Sequence, residues 1–233
     1  MRMRRKRNRF SILLRRLFLL VLLVALTPFA LILLYRWESV HPVSTLMLAG
    51  YVSGQPVDRT WVEFDNIAPV LVQSVMMSED GQFCAHDGID WEALNTVIDG
   101  ALEGEETRGA STIPMQTAKN LFLWQSRSFI RKGLEIPLAM TSDYLWDKRR
   151  LMEIYLNVAE WAPGVYGIEA AARHHFGIPA AQLGGRQAAL LAVTLPNPHL
   201  RDPANPSNGL ARLAGSIEAR AAQSGAYITC LYP

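Results

Sequence analysis

The chain has 233 residues, half of them apolar, enough for one anchor and one sizeable domain with a buried core. The net charge of +2 conceals an asymmetry: residues 1–16 carry eight of the 23 basic residues and no acid, which leaves 15 basic against 21 acidic residues beyond them. That distribution argues against nucleic acid or another polyanion as partner, because the basic stretch is a tail and not a folded face.

Leu17 to Tyr35 is an uncharged, mainly apolar run of 19 residues, close to the roughly 20 needed to cross a bilayer as a helix. Pro28 inside it would kink such a helix rather than forbid it. The basic cluster before the run places residues 1–16 in the cytoplasm by the positive-inside rule, and everything after Trp37 outside. The run is longer than a usual signal core and lacks a clear small-x-small cleavage site, which favours an uncleaved anchor. Residues 36–64 read as a connector, extended over Val43 to Val52 and broken by Gly50 and Gly54.

From Asp65 to the end, the pattern is that of one helical domain. Asp65 or Asn66 can cap a helix toward Met77, and Asp90 one over Trp91 to Ala101. Thr112 to Leu123, a segment capped by Ser128, Asp147 to Asn157, Ile168 to Phe176, Gln187 to Leu195 and Ala211 to Gln223 follow, the last as a surface helix. Pro137 strains its helix, and Gly177 is a natural stop for the one before it. No strand-like alternation appears after residue 60, so the class is mainly α. Cys84 and Cys230 are far apart; one disulfide is compatible with an oxidising compartment, but nothing in the sequence requires it, and we read them as two isolated thiols.

Several chemistries fall away on motif grounds. There is no Ser-x-x-Lys and no Lys-Thr-Gly, which removes a penicillin-sensitive transpeptidase. Gly-x-Ser-x-Gly, a phosphate-binding P-loop and His-Glu-x-x-His are also missing. The pair His174-His175 has no partner at metal-ligand spacing, and no metal site is expected.

Five clusters remain. The first, Ser78-Glu79-Asp80-Gly81-Gln82-Phe83-Cys84-Ala85-His86-Asp87-Gly88, follows an apolar helix and is closed by glycines. Glu79 there could be desolvated beside Phe83, as a general base requires. The second, Gly109-Ala110-Ser111-Thr112-Ile113-Pro114-Met115-Gln116-Thr117-Ala118-Lys119-Asn120, opens a helix on which Gln116, Lys119 and Asn120 share a face. Its N–H groups and Lys119 together suit an anion. The third, Arg127-Ser128-Phe129-Ile130-Arg131-Lys132-Gly133-Leu134-Glu135, is either a surface ion-pair ladder or a cationic clamp organised by Glu135. The fourth, Lys148 to Asn157, and the fifth, Gly164 to Ala172 with Phe176-Gly177, look structural when taken alone.

Taken in order, the five clusters resemble the peptidoglycan glycosyltransferases of the monofunctional biosynthetic type, glycosyltransferase family 51, which share the transglycosylase domain of penicillin-binding proteins. The resemblance runs from Glu79 to Gly177 and extends to the anchor. Ala110, Pro114, Met115 and His175 depart from the usual residues, and Leu134 stands where some members carry lysine. The resemblance implies a lysozyme-like helical glycosyltransferase domain over 65–233, behind a cytoplasmic tail (1–16), a transmembrane helix (17–35) and the connector (36–64). It implies lipid II and the growing glycan strand as substrates, with release of undecaprenyl diphosphate. Glu79 would be the base and Glu135 the organiser of a clamp made by Lys119, Arg127, Arg131 and Lys132. Ser111, Thr112, Gln116 and Asn120 would line the donor cleft. It implies a single-pass protein of the bacterial inner membrane with a periplasmic domain, in contact with membrane lipid and with other cell-wall synthesis proteins. No cofactor is required; a divalent cation at the diphosphate is compatible. Apolar residues between Trp124 and Tyr144 either dip into the bilayer or pack in the core. A lysozyme-like glycan hydrolase and a catalytically silent membrane scaffold of wall synthesis are the competing readings.

Overall fold

The computed structural model describes residues 2–103, 109–126 and 128–232 and is mainly helical, with ten α-helices and one three-stranded sheet among the described residues. Helix α1 (Arg2–Tyr35) runs through Pro28 without a break. Its apolar part, Phe10–Tyr35, is 26 residues long, or about 39 Å, more than the ~30 Å hydrocarbon core of a bilayer. Side chains from Phe10 to Thr27 are exposed; among the described residues it is the C-terminal end of the helix that meets the rest of the chain, at Ile32, which is fully buried.

The segment expected to be extended is a helix, α2 (Thr45–Ser53). The Ser44 hydroxyl accepts from the Met47 N–H at 3.2 Å, and Gly54 ends the helix in the left-handed region at φ 69°. The start of α3 (Pro69–Glu79) also differs from expectation. Phe64–Asn66 forms a 3-10 turn instead of capping the helix, and Asp65 pairs with Arg149. Pro69 opens α3, where a missing N–H costs nothing.

Elsewhere the helices follow their signals. Helix α4 (Trp91–Leu102) has the Ala93 N–H on Asp90 Oδ1 at 2.8 Å. Thr112, Ser128 and Asp147 cap α5 (Ile113–Phe122), α6 (Phe129–Leu145) and α7 (Lys148–Val158), and α6 continues through Pro137. Helix α8 (Ile168–Phe176) stops at Gly177, and α9 (Gly185–Ala192) and α10 (Asn208–Ala222) follow. Three strands escaped the sequence reading because each is too short to alternate. Strand β1 (Asp58–Arg59) runs parallel to β3 (Val165–Tyr166), which is antiparallel to β2 (Glu160–Ala162). Gly164, in the turn between β2 and β3, sits at φ 76°, and a Cβ there would lie 2.8 Å from Pro56 O. Only glycine makes that approach without strain.

Helix α3 buries Leu71, Val72, Val75, Met76 and Met77, so it is covered on nearly all sides. It packs on α9 and α10, while α5 packs on α6 and α7. The expected surface helix α10 buries Leu210, Ala214, Ile217 and Ala221, a stripe at helical spacing. The reading of two isolated thiols is corrected: Cys84 and Cys230 form a disulfide with Cα atoms 5.6 Å apart across 146 residues of sequence. Sequence distance hid the pair because α10 folds back onto α3, bringing the C-terminal segment beside the turn that follows Asp80.

Candidate active site

Glu79 is the last residue of α3, where an apolar helix delivers a carboxylate to the edge of the core. Its Oε2 accepts from Gln116 Nε2 at 3.0 Å and its Oε1 from the Ser78 hydroxyl at 3.1 Å. Burial raises its pKa above the ordinary glutamate value, while the Gln116 and Ser78 hydrogen bonds and the charges of Arg201 and Lys119 pull the other way. A position at a helix C-terminus also disfavours negative charge. Gln116 is held in turn by the Tyr155 hydroxyl, which donates to Gln116 Oε1 at 3.2 Å from α7.

The next residue, Asp80, fixes the floor. Its carboxylate takes the Ile113 N–H at the start of α5 at 2.9 Å and faces His86 Nε2 at 3.0 Å. One residue thus ties the end of α3 to the beginning of α5, which sets Glu79 against Gln116.

The cations stand along α5 and α6. Glu135 is 2% exposed and binds both Arg131, through Nη1, and Lys132, whose Nζ is 3.0 Å away. The surface-ladder alternative for this cluster is therefore wrong: its acidic member is in the interior. Lys132 Nζ also donates to the Ser111 hydroxyl at 2.5 Å, and Arg131 Nε to Ser126 O at 2.6 Å. The Lys119 ammonium makes no hydrogen bond or ion pair among the described residues. Burial, then Arg131, lowers its pKa, with Glu79 opposing. Burial together with Arg131 and Lys119 lowers Lys132 to about 8. Lys119, Arg131 and Lys132 act on one another and Arg201 acts on Glu79, so cations outnumber the carboxylates Glu79 and Glu135 here, the setting for an anionic group.

A cavity of about 190 Å³ continues from this point, lined by Gln116, Lys119, Asn120, Tyr155, Glu160 and His199, with Pro196 and Pro198 as apolar wall. Glu160 Oε2 meets His199 Nε2 at 3.1 Å and its Oε1 takes the Gly164 N–H at 3.2 Å. Burial and this neighbouring carboxylate push the Tyr166 hydroxyl up to about 12.

The expected residues mostly converge. Glu79, Ser111, Gln116, Lys119, Asn120, Arg131, Lys132 and Glu135 share this region. Thr112 does not line it: its hydroxyl is buried, donates to Gly88 O at 2.7 Å and caps α5. Arg127 lies outside the described residues. Ser78, Tyr155, Glu160, His199 and Arg201 were not expected. Tyr155 belongs to the Lys148 to Asn157 cluster that looked structural and Glu160 follows it closely, and Arg201 comes from the loop after α9, where no pattern points to charge. Among the described residues no group of three or more His, Cys, Asp and Glu side chains gathers at metal-ligand spacing.

A helical domain that sets a desolvated carboxylate beside a cationic clamp has the parts of an enzyme acting on a sugar carried by a phosphate. The chain matches the Transglycosylase family over residues 46–221 and belongs to it; the fold is the lysozyme-like helical fold of that domain. A relative from Rhizobium meliloti (strain 1021), described as a biosynthetic peptidoglycan transglycosylase, is 67% identical over 218 residues, 94% of this chain and 92% of its own. A protein of the same description from Agrobacterium fabrum is 60% identical over 222 residues (95% and 98%). One from Brucella suis biovar 1 is 58% identical over 212 residues (91% and 95%).

Proposed function

We propose that the chain polymerises lipid II into glycan strands for the bacterial cell wall, with Glu79 as its base. The enzyme is a peptidoglycan glycosyltransferase, and the observation that carries the catalytic assignment is the desolvated Glu79 carboxylate, bonded to Gln116 and facing the charges of Arg201 and Lys119, with Lys119 in turn facing Arg131 and Lys132. The 4-hydroxyl of lipid II attacks the anomeric carbon of the growing strand. Glu79 takes the hydroxyl proton, the new C–O bond forms, and the bond to the lipid diphosphate breaks with inversion, its electron pair leaving on the diphosphate. Lys119, Arg131 and Lys132 stabilise that charge and are in place before it develops, and Arg127 is assigned to the same role by the family pattern alone. Glu135 holds Arg131 and Lys132 in position. The cavity beyond Gln116 has the mixture of carboxylate, amides and prolines that suits a pyranose ring: hydrogen-bonding groups for its hydroxyls and an apolar wall for its C–H face. The chemistry asks for no cofactor; a divalent cation, where present, would ride on the diphosphate oxygens.

The same reading places the protein in the inner membrane with a periplasmic domain. The apolar length of α1, the basic cluster before it and the Cys84–Cys230 disulfide, a bond of oxidising compartments, support it. On α6, Phe129 is 99% exposed and Tyr144 88%, with Ile130 and Leu134 also outward. These side chains do not pack in the core, and we assign them to the bilayer surface, where the lipid-linked substrate lies. Association with other wall-building proteins is part of the proposal and rests on the family alone.

The test is incubation of the full chain in detergent with labelled lipid II and, separately, with preformed glycan. Polymer from lipid II is expected. Cleavage of glycan without polymer would make it a hydrolase; a folded protein inert toward both would make it a scaffold.

A further inference from the structure

The last four carbonyls of a helix have no partner within it. At the C-terminal end of α1 two of them, those of Ile32 and Tyr35, are taken by side chains of the catalytic domain, while Leu34 O accepts from the Trp37 N–H at 3.3 Å. Trp146 Nε1 donates to Ile32 O at 2.8 Å, and Arg150 Nε to Tyr35 O at 3.0 Å. The Nη2 group of Arg150 also reaches past the helix to Trp37 O at 2.9 Å and Val40 O at 2.6 Å. Its Nη1 is held by Glu153, whose other oxygen takes the Phe64 N–H at 3.0 Å. Arg150 is 4% exposed, so the guanidinium is consumed by this arrangement and is not a surface charge. A planar fork with acceptors spread over residues 35–40 fixes direction as well as position; a single bond would leave the helix free to pivot.

The grip involves more than one helix. The Tyr35 ring stacks on Phe122 with centroids 6.2 Å apart and planes within 9°. The end of α1 is therefore held by Phe122 on α5, Trp146 at the C-cap of α6 and Arg150 on α7. Those three helices carry the site: Gln116 and Lys119, then Arg131, Lys132 and Glu135, then Tyr155. We infer that Arg150 is a positioning residue, which locks the anchor to the site-bearing helices so that the cleft is presented to the bilayer in one fixed orientation. The activity part of this inference rests on the glycosyltransferase reading above; the orientation part does not.

The full chain carrying Leu20→Cys and Ala219→Cys, both exposed positions, is spin-labelled and placed in phosphatidylethanolamine–phosphatidylglycerol nanodiscs. A single narrow interspin distance is expected, and Arg150→Lys, which keeps the charge but loses the fork, should broaden it. Polymerisation by Arg150→Lys should fall about 10- to 100-fold for lipid II embedded in the bilayer, the range of a misplaced reacting group. It should stay close to wild type for lipid II dispersed in detergent, where no fixed plane must be met. Trp146→Phe, which removes the bond to Ile32 O but keeps an aromatic ring in the core and leaves Arg150 untouched, should show the same split at smaller amplitude and guards against a folding defect in the lysine variant. A broad distance distribution in the unaltered chain overturns the lock. Equal losses in bilayer and detergent reduce Arg150 to a structural residue and overturn its positioning role. Inactivity of the unaltered chain in both media would instead sink the glycosyltransferase reading, and the distance measurement would still decide the lock.

Discussion

Tyr155 and Glu79 are joined through one side-chain amide: the tyrosine hydroxyl donates to Gln116 Oε1 at 3.2 Å, and Gln116 Nε2 donates to Glu79 Oε2 at 3.0 Å. The phenol decides which way round the amide sits, because a hydroxyl donating to the oxygen leaves the NH₂ for the carboxylate. Tyr155→Phe should keep the fold and lower kcat about tenfold, with KM less affected, since the base loses its fixed orientation while the clamp is untouched. An unchanged kcat would show that Gln116 needs no brace.

The pH profile should be bell-shaped. Glu79 acts deprotonated and its pKa is raised, so the acid limb of kcat/KM lies above the ordinary glutamate range. Lys132 acts protonated, and in the free enzyme it loses its charge as pH rises through about 8. The alkaline limb should therefore fall near there, and Lys132→Arg should move it to higher pH, because a guanidinium stays charged. Diphosphate binding favours the charged lysine, so the alkaline limb of kcat should lie above that of kcat/KM. An alkaline limb that ignores Lys132→Arg would assign it to another group.

Glu135 is buried and binds two cations. Glu135→Ala strands Arg131 and Lys132 and should cost about 3–5 kcal/mol of stability, the range for breaking a buried pair from one side. Thermal unfolding and polymerisation should both suffer, in contrast to Tyr155→Phe. A variant as stable as wild type would show that the clamp organises itself without its carboxylate.

The Cys84–Cys230 bond closes a long loop of chain and should contribute roughly 2–4 kcal/mol. Replacing both cysteines by serine should lower the Tm by roughly 5–15 °C, at about 2–4 °C per kcal/mol for a domain of this size. Rates measured well below that temperature should change little, because Glu79 is fixed by Gln116, Ser78 and the Asp80 bond to Ile113. A rate loss at low temperature would mean that the bond also shapes the site.

What could be read from the residues was what is local. Caps at Asp90, Thr112, Ser128 and Asp147 and the stop at Gly177 mark helices by chemistry within four residues. The order of Glu79, Gln116, Lys119 and Glu135 along the chain carried the family resemblance. What escaped depends on chain folding over long separations. Cys84 meets Cys230 only because α10 returns to α3, and Glu160 meets His199 across the cavity wall. Helix α2 was hidden because Gly50 sits inside it, and Thr112 appeared to line the cleft although its hydroxyl is spent on Gly88.

The most direct measurement compares polymerisation of labelled lipid II by the full chain and by Glu79→Gln under identical conditions. Glu79→Gln should lose about 10²–10⁴-fold in kcat, the usual contribution of a general base. Its Tm should be no lower than wild type: a buried carboxylate with a raised pKa costs stability as pH rises from its unfolded-state value through the folded one, and a neutral amide does not. A well-folded Glu79→Gln that polymerises at the wild-type rate would contradict the assignment of Glu79 as the base.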